Sequence, residues 1–170
     1  MGSAGVIDEI AVAGDARGLP CCGGMREVGL EATGSLDSAL PGVRHPAQLP
    51  LLDAILRLAH RHGRGRYLLY SNIDIALQHD CYSQLVSLLQ RQPDVPISAV
   101  REEFEFAEPT FSLADAAARR GLGLPHPGHD LWAFPRAWVP DLALGPVALG
   151  VSLVATGLNQ ALIAALLHCC

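Results

Sequence analysis

The sequence predicts an α/β fold: a mostly parallel central sheet flanked by helices. From Pro46 onward, segments with helical spacing alternate with short apolar runs, the rhythm of strand–helix–strand units. Tyr67 to Ile75 is nearly continuous in apolar residues, which suits a strand covered on both faces of a parallel sheet. Half of the 170 residues are apolar and 17% are charged, enough for one sizeable core and too apolar for a disordered chain.

Residues 1–46 read as an irregular N-terminal arm. Gly5 to Ala13 allows a short strand or one helical turn, but Gly14, Gly18, Pro20, Gly23, Gly24, Gly29, Gly34, Pro41 and Gly42 leave no room for a long element. Residues 47–170 read as a single α/β domain. Its first element is a helix over Leu49–His62. Leu51, Leu52, Ile55, Leu56 and Leu58 recur at spacings of three and four, Pro50 fits the first turn, and Gly63 and Gly65 stop it. Tyr67 to Ile75 follows as the central strand. Asp80 is placed to cap a helix that runs to Arg91 with Leu85, Val86, Leu88 and Leu89 inward. Pro96 to Arg101 is a strand, and Ser112 to Arg120 a short helix stopped by Gly121. Asp130 to Phe134 is a third strand, Pro146 to Val151 a fourth, and Ala155 to Leu167 the closing helix.

Leu142 to Leu167 is 26 residues without a charge. Gly145, Pro146, Gly150, Gly157, Asn159 and Gln160 divide it into a strand and a docking helix; a membrane-anchoring tail is the competing reading. The terminal Cys169-Cys170 is like a prenylation tail, but no GTPase motif accompanies it.

Composition narrows the function. The net charge is −5, which argues against nucleic acid as a partner. All 12 basic residues are Arg, so lysine-dependent phosphate binding and Schiff-base chemistry are absent. The five cysteines lie at Cys21-Cys22, Cys81 and Cys169-Cys170, with no C-x-x-C pair. They suggest neither a zinc site nor a disulfide framework, and a reduced, cytoplasmic setting is expected. Asp8 and Glu9 interrupt the first apolar stretch, unlike a secretory signal.

Two constellations carry candidate chemistry. Asn72 and Asp74 end the Tyr67–Ile75 strand two residues apart, hence on one side of it. A carboxamide and a carboxylate there suit a hard divalent cation, Mg²⁺ or Mn²⁺. The plainer reading gives Asp74 a turn cap and Asn72 a backbone hydrogen bond. The second constellation is Pro125 to Arg136. Asp130 is a candidate general base for a hydroxyl, His126 or His129 a metal ligand, and Arg136 a phosphate partner. The plainer reading is a loop with solvated histidines. Ser71, Ser83 and Ser87 lack a G-x-S-x-G setting, Cys81 stands near His79, and Glu102, Glu103, Glu105 and Glu108 form an acidic cluster.

Taken together, Pro50-Leu-Leu-Asp-Ala-Ile-Leu56, Arg66-Tyr-Leu-Leu-Tyr-Ser-Asn-Ile-Asp-Ile-Ala-Leu77, Ile97-Ser-Ala-Val-Arg101 and Gly128-His-Asp-Leu-Trp-Ala-Phe-Pro-Arg136 resemble the central part of nucleotide-sugar glycosyltransferases of the GT-A type. The resemblance spans about residues 48–152 and implies a partial GT-A, Rossmann-like sheet. It implies that Asp74, with Asn72 in the first position of an Asp-x-Asp-like motif, holds Mn²⁺ or Mg²⁺ against a sugar-nucleotide diphosphate. It also implies that Asp130 is the base toward an acceptor hydroxyl. The sequence departs from the family ahead of the motif: only 71 residues precede Asn72, too few for a full nucleotide-binding half after an irregular arm. The expectation is therefore a metal-dependent glycosyltransferase-like protein using a sugar nucleotide. The alternative is a non-catalytic α/β interaction module or inactive fragment, with the tail over residues 142–167 as its membrane link.

Overall fold

The computed structural model describes residues 10–13, 26–29, 42, 49–72, 75–78, 80–104, 113–149 and 154–168. In chain order the elements are β1 (Ile10–Ala13), β2 (Arg26–Gly29), α1 (Leu52–His62), β3 (Tyr67–Ser71), α2 (Cys81–Arg91), β4 (Ile97–Glu103), α3 (Leu113–Ala118), β5 (Leu124–Pro135), a 3₁₀ helix (Arg136–Asp141) and α4 (Val154–His168). They group into two compact units, one of residues 1–68 with 136–170 and one of residues 69–135.

In the first unit, β1 and β2 pair in parallel, with Ile10 opposite Arg26 and Ala13 opposite Gly29. Helix α1 turns Leu52, Ile55, Leu56 and Leu58 into the core and ties Asp53 to Arg57 one turn on along its outer face. Val139, Leu142, Leu144, Ala148, Leu158, Ala161 and Leu162 complete that core. The helix begins at Leu52 rather than Leu49, because the preceding backbone is extended. Leu51 makes an antiparallel bridge with Ala148, Leu52 N–H donates to Val147 O at 2.9 Å, and Leu149 N–H donates to Pro50 O at 3.0 Å. The strand expected over Pro146–Val151 is thus reduced, within the described residues, to this single bridge. Gly157 closes on the same segment, since a Cβ there would lie 2.7 Å from Val147 Cγ2.

In the second unit the mostly parallel sheet is overturned. The sheet has three strands in the order β3-β5-β4, and it is antiparallel. Ile97 stands opposite Ala133 and Glu103 opposite Leu124, so β4 and β5 run in opposite directions. Tyr70 meets Trp132, ring centroids 5.7 Å apart, and Asn72 meets Asp130, so β3 also opposes β5. β3 and β4 do run the same way, joined through α2, as a strand–helix–strand crossover requires. β5 is inserted between them and takes the hydrogen bonds they would have made to each other, giving a split β-α-β arrangement.

Consequently Tyr67–Ser71 is an edge strand. Its residues are half-buried, and Leu69 is 37% exposed. The buried strand is β5, where Asp130 through Pro135 are all inside. A short apolar run signals a strand but not how many of its faces are covered, and this one is covered incompletely. Helix α2 lies as expected over Cys81–Arg91 but turns only Leu85 and Leu89 inward; Val86 and Leu88 are exposed. The Asp80 side chain makes no cap bond and instead pairs with Arg120 at 2.8 Å. Gly121, at φ +74°, takes the left-handed turn between α3 and β5.

Helix α4 matches the expected closing helix. At 15 residues it does not fulfil the spanning alternative, and among the described residues no helix is long and apolar enough to cross a membrane.

Candidate functional site

Strand β5 departs from regular pairing twice, and the candidate residues sit at both departures. Ala99 pairs with Leu131 and Val100 with His129, which leaves Asp130 as the extra residue of a β-bulge. Farther along, Val100 pairs with His129 and Glu102 with Pro125, so His126, Pro127 and Gly128 together stand opposite Arg101 alone. Proline cannot donate to a ladder and is tolerated in strands at edges and bulges. Pro125 and Pro127, which suggested a loop, are therefore part of an irregular strand.

Asp130 is 6% exposed and is the one buried charged residue among the described residues. Its Oδ1 accepts from Arg101 Nη1 at 2.8 Å and from Asn72 Nδ2 at 3.0 Å. Its Oδ2 is buried and has no hydrogen-bond partner among the described residues. His126 Nδ1 lies 3.5 Å from that oxygen but accepts the Gly128 backbone N–H at 3.0 Å. A Cβ on residue 128 would stand 3.0 Å from the imidazole, so the ring would have to give by a few tenths of an ångström to admit one. Glu103 completes the cluster. Its Oε1 is 2.8 Å from Arg101 Nη2 and 3.8 Å from His126 Nε2. The hydrogen bond and charge of Arg101 hold the Glu103 carboxyl below the usual carboxylate range against its desolvation. Beside Asn72 and Asp130, Tyr70 is half-buried, and that burial pushes its phenol up.

Of the residues singled out from the sequence, Asn72, His126 and Asp130 are brought together. Asp74 lies outside the described residues, as does His79. Arg136 is in the first unit and serves the backbone there: its Nε donates to Gly65 O at 2.7 Å and its Nη1 to His60 O at 3.0 Å. His129 occupies a ladder position opposite Val100, with a buried Nδ1 that lacks a partner among the described residues. Burial, with Asp80 adjacent, pushes the Cys81 thiol up, the opposite of what a thiolate nucleophile needs. Sequence reasoning missed Arg101 and gave Glu103 only to a solvated acidic cluster. Their alternation on one strand, residue 101 and residue 103 on the same side, was the available signal.

The described members of this cluster do not fit a divalent cation. Asn72 turns its NH₂ toward Asp130, the arginine cation already occupies Asp130 Oδ1, and the His126 Nδ1 lone pair is engaged by Gly128. Among the described residues no three His, Cys, Asp or Glu side chains converge as a metal site. No protein-family model matches the chain, and no curated protein or solved structure matches it significantly.

Proposed function

We propose that the Asp130 cluster is an acid–base site for a hydroxyl group, with Asp130 Oδ2 as the atom that takes the proton. The observation that supports this is the unequal treatment of the two carboxylate oxygens: Oδ1 has two donors, while Oδ2 is buried with none among the described residues. Arg101 and Asn72 fix the orientation of the carboxylate and stabilise its charge, and an arriving O–H meets an acceptor with no competing donor. Because Oδ2 is shielded, the reading requires a neighbouring side chain to move aside. His126, 3.5 Å away and 29% exposed, is at hand.

The reaction class that suits such a base is group transfer to a hydroxyl. The sequence resemblance names one member, glycosyl transfer from a sugar nucleotide. There the acceptor oxygen bonds to the sugar carbon as its proton passes to Asp130, and the nucleoside diphosphate leaves with the bonding pair. The proposal keeps only the acceptor half of that resemblance, since the parallel sheet behind its donor half is replaced by an antiparallel one.

A second reading has its own observation. Asn72 follows β3, Asp130 is on β5 and Arg101 is on β4, so the same bonds tie the three strands together. On that reading the unit is a non-catalytic module. The two are separated by incubating the full chain with sugar nucleotides, polyol acceptors and Mn²⁺ or Mg²⁺ and measuring released nucleoside diphosphate. The acid–base reading expects release by the parent and its loss in a folded Asp130→Asn variant. A folded parent that releases nothing leaves the module reading.

A further inference from the structure

We propose that His126 is a proton-operated cover for Asp130: when neutral it is held by Gly128, and when protonated it closes on Asp130 Oδ2. The inference rests on the acid–base reading only for its consequence for turnover. The structural part stands on three contacts of one imidazole.

Gly128 N–H points at His126 Nδ1 from 3.0 Å, so in this arrangement Nδ1 is an acceptor and the neutral ring carries its proton on Nε2. A proton taken from solvent at Nδ1 removes the lone pair that Gly128 uses, and that bond cannot persist. The new Nδ1–H then has Asp130 Oδ2 3.5 Å away, an acceptor that is buried and without a partner among the described residues. A swing of about half an ångström brings the pair into hydrogen-bond range. It also gives the buried oxygen the donor it lacks, now a charged one. The ring is 29% exposed, so solvent protons reach it.

The charged neighbours favour the protonated state, and the Gly128 bond favours the neutral one. From β4, Glu103 Oε1 faces Nε2 at 3.8 Å and Arg101 lies between the two carboxylates; from β5, Asp130 faces Nδ1; beyond β3, Asn72 is uncharged and bonded to Asp130. Two carboxylates against one guanidinium leave room for one more positive charge, which protonated His126 supplies. Low pH thus occupies Oδ2 with an internal donor, and raising the pH frees it. Histidine is the side chain whose charge changes in roughly the pH 5–8 range.

The test is NMR of the isotopically labelled full chain across roughly pH 5–8, following the His126 ring nitrogens, the Gly128 amide and the Asp130 carboxyl carbon. At the upper end His126 is expected as the Nε2–H tautomer. As the pH falls, the Gly128 amide and the Asp130 carboxyl carbon should move with the same midpoint as the ring. In His126→Asn, which keeps an acceptor but cannot gain the charge, both responses should vanish. A neutral Nδ1–H tautomer, or a Gly128 amide that ignores the ring's titration, overturns the proposal, and both are read on the parent even if the variant does not fold. If the parent also turns over a substrate, turnover should fall with acid at that midpoint and lose this dependence in His126→Asn. Absence of turnover rejects the acid–base reading and leaves the NMR outcome to decide the switch.

Discussion

Arg101 Nη1 lies 2.8 Å from Asp130 Oδ1, and the two residues meet because each stands at a break in the β4–β5 register. Asp130 is the extra residue of one bulge, and Arg101 is the lone residue opposite three at the next. A regular ladder would have set the residue numbers differently and placed other side chains beside the carboxylate. The bulges therefore assemble the site, which is the use such irregularities commonly have in sheets.

Removing the cation while leaving the carboxylate should be costly. Arg101→Met is expected to destabilise the second unit by about 2–4 kcal/mol, less than a fully buried pair because Arg101 is 29% exposed. Adding Asp130→Leu to that variant should recover part of the loss, since no uncompensated charge then remains inside. Urea denaturation of the two single variants and the double variant measures this. A purely additive result would mean that the two side chains do not interact.

The placement of the strands can be checked by truncation. Phe134 is fully buried on β5, so Phe134→Ala should cost about 3–5 kcal/mol. Leu69 on β3 is 37% exposed, and Leu69→Ala should cost less than about 1 kcal/mol. Comparable losses at both sites in chemical denaturation would restore Tyr67–Ser71 to the centre of a sheet.

The Asp80–Arg120 pair gives a pH dependence. The hydrogen bond from Arg120, with a further one from Gln84, holds the Asp80 carboxyl below its ordinary range, against desolvation. Because the folded group titrates below the unfolded one, its contribution to stability is present in full above the unfolded value. It is lost as the pH falls through the folded value. A carbon-detected NMR titration should find Asp80 depressed in the parent and returned toward the ordinary aspartate range in Arg120→Gln. An unchanged midpoint would show that the pair does not persist in solution.

In the first unit, Arg136 joins the carbonyls of Gly65 and His60 through two nitrogens of one planar group. His60 Nδ1 returns a bond to Arg136 O at 3.0 Å. Arg136→Met is expected to cost about 1.5–3 kcal/mol, the range for hydrogen bonds to charged groups. Arg136→Lys should recover less than half, because a single ammonium does not reproduce the fork. Thermal melts of both variants against the parent test it, and a full rescue by lysine would show that one carbonyl suffices.

The sequence by itself determined the three longer helices and the neighbourhood of the chemistry. The spacing of Leu52, Ile55, Leu56 and Leu58, the run from Cys81 to Arg91 and the uncharged stretch ending at His168 are local patterns. A helix satisfies its backbone within its own segment, so such patterns suffice to place it. Asn72 and Asp130 were legible as polar residues at the ends of apolar strand sequence, and His126 as a histidine in the stretch ahead of Asp130. Tertiary structure alone decided which strand lies between which, and in what direction. Strand hydrogen bonds go to a partner remote in the sequence, and an apolar run such as Tyr67–Ser71 reads alike at a parallel centre and an antiparallel edge. It also decided that β5 slips register beside Pro125 and Pro127, and hence that Arg101 meets Asp130. No local pattern encodes that meeting, because it depends on the count of residues in two strands measured against each other.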